Sequence, residues 1–364
     1  MTDTTPGATD SIVDVEGLRV GHHSRLDEDA TVGVPGVPGR GAACGVTVVL
    51  APDGAVAGVD VRGGGPGTRE TDLLSPENSV RHAHAIVLSG GSVYGLAAAD
   101  GVVRWLEEHG HGIEMGGEGL VVPIVPAAVI FDLPVGDWQT RPDSTFGYLA
   151  AAAASSTRCD TGSVGAGTGA RAGAIKGGVG SASATISSGP ADGVTVAALM
   201  VANPVGAVFD PGTGVPWGAG GDPGRFGLTA PRPADVDTAA ELAAKGTVFN
   251  TTIGVVATDA ALPKDACRRI AVAGHDGLAR AIRPAHSPLD GDTIFAVATG
   301  TRPGGAEGAM PSAFAPDLAV RAAVCEVAAE VVERAVVKAI LEATTVAGIP
   351  SYRDVFPSAF AGPG

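Results

Sequence analysis

An α/β domain is the fold class this chain predicts, and three observations carry it. Short apolar, β-branched runs of strand length recur along the chain, bordered by glycine or proline. Helical periodicities lie between several of them. No break in composition splits off a second core, although 364 residues, 45% of them apolar, would allow one large domain or two.

Taken in order, residues 1–11 read as a disordered lead-in. The runs 46–50 (VTVVL), 55–61 (AVAGVDV) and 85–89 (AIVLS) predict strands. In 93–108, Leu96, Ala99, Val103 and Leu106 share one helical face, and Gly110 stops the helix. A strand follows at 121–131, the alanine run 150–154 reads as helix, and 194–201 (VTVAALMV) reads as strand. Residues 212–249 are the one long linker-like segment, rich in proline, glycine and aspartate; a stretch of that length inside a domain is functional or mobile. Strands at 251–257 and 293–299 flank a helix over 263–282, whose Pro263 suits a first turn. The clearest helix spans 317–343, with Asp317 as N-cap, Val320, Val324, Val327 and Val331 on one stripe, and Gly348 beyond its end. No internal repeat is present.

Composition narrows the function. Fifty-five glycines with only 4% aromatics, and no Gly-X-Y period, suit tight packing of backbone against backbone. A net charge of −15 argues against nucleic acid or an anionic membrane as partner and favours a neutral or cationic substrate. Cys44, Cys159, Cys267 and Cys325 are too scattered for a disulfide frame or a zinc site, so four reduced thiols are expected. The N-terminus has no signal-peptide pattern and no apolar run is long enough to span a bilayer, so a cytoplasmic protein is expected.

Several patches invite chemistry. Gly165–Gly180 lacks the Gly-Lys-Ser/Thr ending of a P-loop, because Lys176 is followed by two glycines. Gly63–Gly67 and the turn holding Gly90 and Gly91 either direct backbone N–H groups at a ligand, as an oxyanion or substrate turn, or are plain tight turns. Ser92 resembles a nucleophile elbow in outline, with His275 and His286 as conceivable bases, but SGGSVYG is not G-x-S-x-G and no spacing ties either histidine to it. His22-His23 and His82-x-His84 lack partners at metal-ligand spacing; neither metal nor cofactor is expected.

The remaining constellation is Lys176, Asn203, Thr251, Asp290 and Asp292. Singly, each has a dull explanation as a solvated lysine, a turn or a hairpin loop. Together with the linker that ends at Asn250-Thr251, they make sense as a self-processing amidase. Cutting the Asn250–Thr251 bond gives Thr251 a free α-amino group beside its own hydroxyl. That amine, with a reference pKa of roughly 7.7–8.0, is partly neutral near pH 7 and can take the hydroxyl proton.

Six blocks sharpen this: AGVDVRGGGPGTRETDLL (57–74), IVLSGGSVYGLAAADGV (86–102), VPAAVIFDL (125–133), VANPVGAVFD (201–210), NTTIGVVATDA (250–260) and IRPAHSPLDGDTIFAVATG (282–300). From about residue 12 to about 343 the chain resembles the DmpA/BapA-type aminopeptidase family, which also contains the nylon-oligomer hydrolases. The resemblance implies a four-layer αββα sandwich like that of N-terminal-nucleophile hydrolases. It implies self-cleavage into subunits 1–250 and 251–364 that stay together as one globular unit and assemble into a homo-oligomer of processed heterodimers. By position, Thr251 corresponds to the nucleophile, Asn203 to the asparagine near the oxyanion, and Lys176 to the lysine of the nylon-oligomer branch. Asp290 and Asp292 stand where aminopeptidase members tend to have serine and glutamate, whereas the nylon-oligomer hydrolases share Asp-Gly-Asp. Phe131 stands where several relatives carry tyrosine. The resemblance thus implies an amide hydrolase of oligoamides such as 6-aminohexanoate oligomers. Two alternatives stay open: an aminopeptidase releasing N-terminal residues, β-amino acids included, from short peptides, and a binding protein that keeps the fold without turnover.

Overall fold

The apolar runs pair into a ten-stranded mixed sheet in the computed structural model, which describes residues 2–117, 119–242, 250–302 and 313–360. Its strands are β1 (Thr4–Pro6), β2 (Arg19–Leu26), β3 (Ala43–Val61), β4 (Thr68–Arg69), β5 (His82–Ser89), β6 (Ala127–Val129), β7 (Gly178–Ile186), β8 (Thr195–Ala202), β9 (Ile253–Ala260) and β10 (Thr293–Arg302). The helices that cover them are α1 (Ala98–Glu108), α2 (Ser144–Ala152), α3 (Pro233–Ala240), α4 (Lys264–Ala281) and α5 (Leu318–Leu341). Pairing runs β1-β7-β8-β9-β10-β3-β5-β6-β4, with β2 also on β3.

The long β3 divides this sheet into two stacked layers. Residues 43–50 pair with β2 and β5, whereas 56–61 pair with β10, and the register shifts between Leu50 and Ala55. The two strands expected at 46–50 and 55–61 are therefore one strand, bent where Pro52-Asp53-Gly54 interrupts the ladder.

Side-chain alternation then builds four layers. Val49, Ile86 and Leu88 of one layer meet Leu199, Val201, Val255 and Phe295 of the other. On the far side of the first layer, Val46, Val48 and Val87 pack on Val102 and Leu106 of α1 and Ala150 of α2. On the far side of the second, Ala198, Met200 and Val256 pack on Ile270 and Leu278 of α4 and Val324 and Val331 of α5. Adjacent residues of β8, such as Leu199 and Met200, thus serve different interfaces. The architecture is αββα.

The structure corrects several expectations. Residues 2–11 are placed rather than loose: Thr4 pairs with Ile186 across β1 and β7, and Asp10 makes an ion pair with Arg334 at 2.6 Å. Residues 121–131 are two short strands, Val121–Val122 and β6, because Pro123 and Pro126 remove ladder donors between them. The helix from 93 starts as a 3-10 turn (Ser92–Ala97) and becomes α-helical only at Ala98. The described part of the linker, 212–242, is folded. It contains Trp217–Ala219, Pro223–Phe226 and α3, and the C-terminal segment covers it, with Thr229 N–H donating to Ala359 O at 2.9 Å. Residues 243–249 lie outside the described residues. Among the described residues no helix is long and apolar enough to cross a membrane. All four cysteines are free thiols.

Strand β7, GVGSASATI, escaped sequence reading because its small residues carry little hydrophobic signal. They are small because α5 lies directly over them. A Cβ on Gly180 would come within 2.0 Å of the Ala335 carbonyl and 2.4 Å of Ala339 N. Gly180→Ala is expected to lower unfolding free energy by about 1–3 kcal/mol, the usual range for overpacking. An unchanged midpoint of chemical denaturation would show that the helix can move away.

Candidate active site

Strand register, not side-chain preference, brings the predicted residues together. Strands β8 and β9 are antiparallel with Val201 opposite Ile253, so two residues further out Asn203 lies opposite Thr251. Thr251 N–H donates to Asn203 O at 3.2 Å. Strands β9 and β10 are parallel with Ile253 beside Thr293, which carries the Asp290-Gly291-Asp292 loop alongside Asn250, Thr251 and Thr252. Lys176 sits in a separate two-residue ladder opposite Arg171, and Arg171 N–H donates to Asn203 Oδ1 at 2.9 Å. Two strand ends and one loop therefore meet at one edge of the inner layers.

Asn250 and Thr251 are both buried. Thr251 Oγ1 donates to Asn250 O. Gly291 N–H points at the same place, 3.1 Å from Asn250 O and 3.2 Å from Thr251 Oγ1. Only glycine fits here. A Cβ on Gly291 would lie 2.7 Å from Thr251 Oγ1 and 2.9 Å from Gly65 O. The Gly63–Gly67 turn braces the loop from behind, with Gly65 N–H on Asp290 O at 2.8 Å and Arg62 N–H on Asp292 O at 2.9 Å.

The two aspartates differ in role. Asp292 Oδ1 accepts Thr252 N–H at 2.8 Å, fixing the residue next to Thr251. Its Oδ2 accepts from His286 N–H at 3.1 Å and Nδ1 at 2.8 Å. Asp290 accepts Ser287 N–H at 3.0 Å, and burial, reinforced by the Asp292 charge, raises its pKa.

Lys176 is fully buried, its Nζ donating to Gly167 O and Gly177 O at 2.7 Å each. Burial pulls its pKa down to about 7, against the opposing pull of Asp132. A substantial neutral fraction at neutral pH makes it a workable base. Asn203 Oδ1 accepts Arg171 N–H at 2.9 Å and its Nδ2 donates to Phe131 O at 3.2 Å.

Other sequence candidates stand elsewhere. Gly90 N–H donates to Gly45 O at 3.0 Å and Gly91 N–H to Asp132 Oδ1 at 2.6 Å, so both amides are committed inside the protein in this structure. His275 and His286 gather beside Asp60 and Asp292, where they hydrogen-bond.

Next to Asn203 opens a cavity of about 550 Å³. Its walls are apolar (Val32, Val34, Leu133, Val135, Phe131 and Trp138), and Asp132, Arg171 and Asn203 bring the polar atoms. Sequence reading missed this pocket, since its walls come from residues about 100 positions apart along the chain. It also passed over Gly291 and His286 as parts of the site, although His286 lies only four residues before Asp290.

Comparison with known proteins identifies relatives along most of the chain. Residues 10–353 match peptidase family S58. Uncharacterized aminopeptidases of Mycobacterium bovis and Mycobacterium tuberculosis are 58% identical over 354 residues, spanning 96% of this chain and 99% of theirs. A 6-aminohexanoate-oligomer endohydrolase of Kocuria sp. is 30% identical over 279 residues, 73% of this chain and 74% of its own. Among solved structures, a Burkholderia sp. beta-aminopeptidase superposes with a TM-score of 0.70 at 23% identity, over 98% of this chain and 94% of its own. The L-aminopeptidase D-Ala-esterase/amidase of Ochrobactrum anthropi, described as a new variant among the Ntn hydrolase fold, gives 0.65 at 22% identity, over 94% and 89%. These two likenesses speak to the fold alone. The chain belongs to peptidase family S58 and is a hydrolase of amide bonds.

Proposed function

We propose that the protein is a self-processing amide hydrolase whose nucleophile is Thr251, released as a new N-terminus by cleavage after Asn250. The observation that carries this reading is the Gly291 N–H, which sits within hydrogen-bond reach of both the Asn250 carbonyl oxygen and Thr251 Oγ1. Attack of Oγ1 on the Asn250 carbonyl carbon would build negative charge on that oxygen, where the Gly291 donor already lies. Neutral Lys176 would take the hydroxyl proton. Collapse breaks the C–N bond as Lys176 passes that proton to the Thr251 nitrogen, which leaves as an amine, and the acyl group rests on Oγ1 as an ester. Water then releases the Asn250 carboxylate and restores the hydroxyl.

In turnover the new amine takes the Oγ1 proton in place of Lys176. Asn203 and the Gly291 N–H supply oxyanion donors, each worth roughly 3–4 kcal/mol in systems of this kind. Asp292 holds Thr252, and Asp290 helps balance the ammonium charge. Threonine's branched Cβ restricts χ1 and keeps the oxygen in line. Fragments 1–250 and 251–364 would stay together, because β9 and β10 lie between β8 and β3 in the sheet. A cytoplasmic setting and assembly of processed heterodimers into a larger oligomer belong to the same proposal.

For substrate we favour release of N-terminal residues from short peptides, which the aminopeptidase relatives, 58% identical over nearly the whole chain, support. Cleavage of oligoamides is the second reading, favoured by the Asp-Gly-Asp loop, the endohydrolase relative and an apolar cavity suited to a polymethylene chain. Wild-type protein incubated separately with an aminoacyl anilide and a 6-aminohexanoate oligomer, with amine release followed, distinguishes them. Faster anilide cleavage is the expected result, preference for the oligomer reverses the order, and no release from either supports a non-catalytic binding protein.

A further inference from the structure

We infer that His286 is a positioning residue of the amide-cleaving centre, holding the Asp292 carboxylate that anchors the strand end carrying Thr251. The inference rests on the nucleophile reading above and extends it to a residue outside the Lys176, Asn203, Thr251, Asp290 and Asp292 set.

One carboxylate joins two segments. Asp292 Oδ1 accepts Thr252 N–H at 2.8 Å, and Oδ2 accepts His286 N–H at 3.1 Å and Nδ1 at 2.8 Å. The Asp292 side chain is only 3% exposed, a depth at which an unmatched carboxylate either pays a large desolvation penalty or takes up a proton. Among the described residues, His286 is the basic side chain that makes an ion pair with it. The His286 backbone sits at φ +58°, a left-handed conformation uncommon for a residue with a side chain. That conformation lets its N–H and its Nδ1 converge on a single oxygen. Ser287 N–H, bound to Asp290 at 3.0 Å, ties the same turn to the other aspartate.

The imidazole is held from behind. His275 of α4 packs edge-on against it, with centroids 4.7 Å apart at 74°, and is itself fixed by a 3.0 Å contact from Nε2 to the Asp60 carbonyl of β3. Burial brings the His275 pKa down to about 4, so it stays neutral. The titratable groups around His286 are therefore Asp292 and Asp290 from its own loop, His275 from α4 and Asp60 from β3.

This arrangement matters most after cleavage. Thr251 is then a chain end, and the Thr252 N–H bond to Asp292 becomes a principal tether of its position. Without His286, Asp292 can rotate, and Oγ1 loses its alignment with the carbonyl under attack. The apolar cavity, which holds the substrate body, is untouched. The expected signature is a fall in kcat at nearly constant KM.

His286→Ala, His286→Asn and wild type are purified, the mature fraction of each is taken from intact mass, and aminoacyl anilide hydrolysis is measured per mature site. Loss of an orienting partner of this kind typically lowers activity roughly 10- to 100-fold, and that is the expected fall in kcat for His286→Ala. KM is expected to hold within about threefold. In His286→Asn the side-chain amide takes the place of Nδ1, so kcat is expected back near wild type. Maturation that stalls in the alanine variant and recovers in the asparagine variant supports the same conclusion. An unchanged kcat in His286→Ala overturns it, as does an asparagine variant no better than alanine. A wild type that turns over without any chain beginning at Thr251 defeats the nucleophile reading and shows in the mass spectrum. An unaffected His286→Ala in fully cut enzyme defeats only the assignment of His286.

Discussion

Thr251→Ala is expected to remain a single uncut chain and to lose amide hydrolysis by at least roughly 10⁴-fold, the scale seen when a catalytic nucleophile is removed. The same atom would carry out both steps. Oγ1 would cut the Asn250–Thr251 bond in maturation and attack substrate in turnover, so one deletion removes both. The fold should survive, since the lost groups are a hydroxyl and a methyl at a strand end. Thr251→Ser restores an oxygen and is expected to be cut, more slowly, because serine lacks the branch that restricts χ1. Denaturing gels and intact mass over time follow the fragments 1–250 and 251–364. An alanine variant cut at residue 250 would end the scheme.

Lys176→Met is expected to have the second-largest effect, and its signature combines rate with pH. Methionine matches the lysine stem in length but has no base, so maturation should slow by roughly 100-fold or more, within the range of a lost general base. Stability supplies the independent readout. Burial lowers the folded-state pKa of Lys176 to about 7 from an ordinary value of 10.5. Between those values the unfolded chain holds a proton that the folded chain has released, so wild-type stability rises with pH across this window. One proton contributes about 1.4 kcal/mol per pH unit. Below pH 7 both states are protonated, and the penalty of the buried charge is constant and greatest. Lys176→Met lacks this contribution. Its stability relative to wild type should therefore be highest at acidic pH and decline from about pH 7 upward. Urea midpoints at several pH values measure the difference, and two parallel curves would show that Lys176 is not buried with a depressed pKa.

Much of the fold was legible because its strongest signals are local. Val320, Val324, Val327 and Val331 mark α5 by spacing alone, and all four are buried against the sheet. The runs that became β5, β8, β9 and β10 hold near-continuous apolar stretches, as expected of strands covered on both faces. Strand β7 was not legible because glycine, serine and alanine are used there to bring a helix close, and the lead-in strand β1 was not because Thr-Thr-Pro is too short and polar to carry a strand signal. The linker misled for a related reason: its prolines and glycines looked structureless, yet residues 212–242 fold beneath the C-terminal segment. In the site, Thr251, Asn203 and the aspartates stood out as residue types on strand ends. Gly291, His286 and the apolar cavity did not, since a backbone N–H, an orienting imidazole and a wall shared by distant loops leave no spacing to read.

The chain's order of apolar runs determined an α/β fold, the abrupt passage into Asn250-Thr251-Thr252 marked a candidate nucleophile, and the resemblance of six blocks to a known aminopeptidase family made the amide-hydrolase reading specific. Only the tertiary structure decided which groups face that threonine. Register between β8, β9 and β10 places Asn203, Gly291 and Asp292 around it, and that register depends on pairings between residues dozens of positions apart. Burial of Lys176 is equally a property of the packed layers: the same side chain in solvent would keep its ordinary pKa, whereas burial lowers it to about 7.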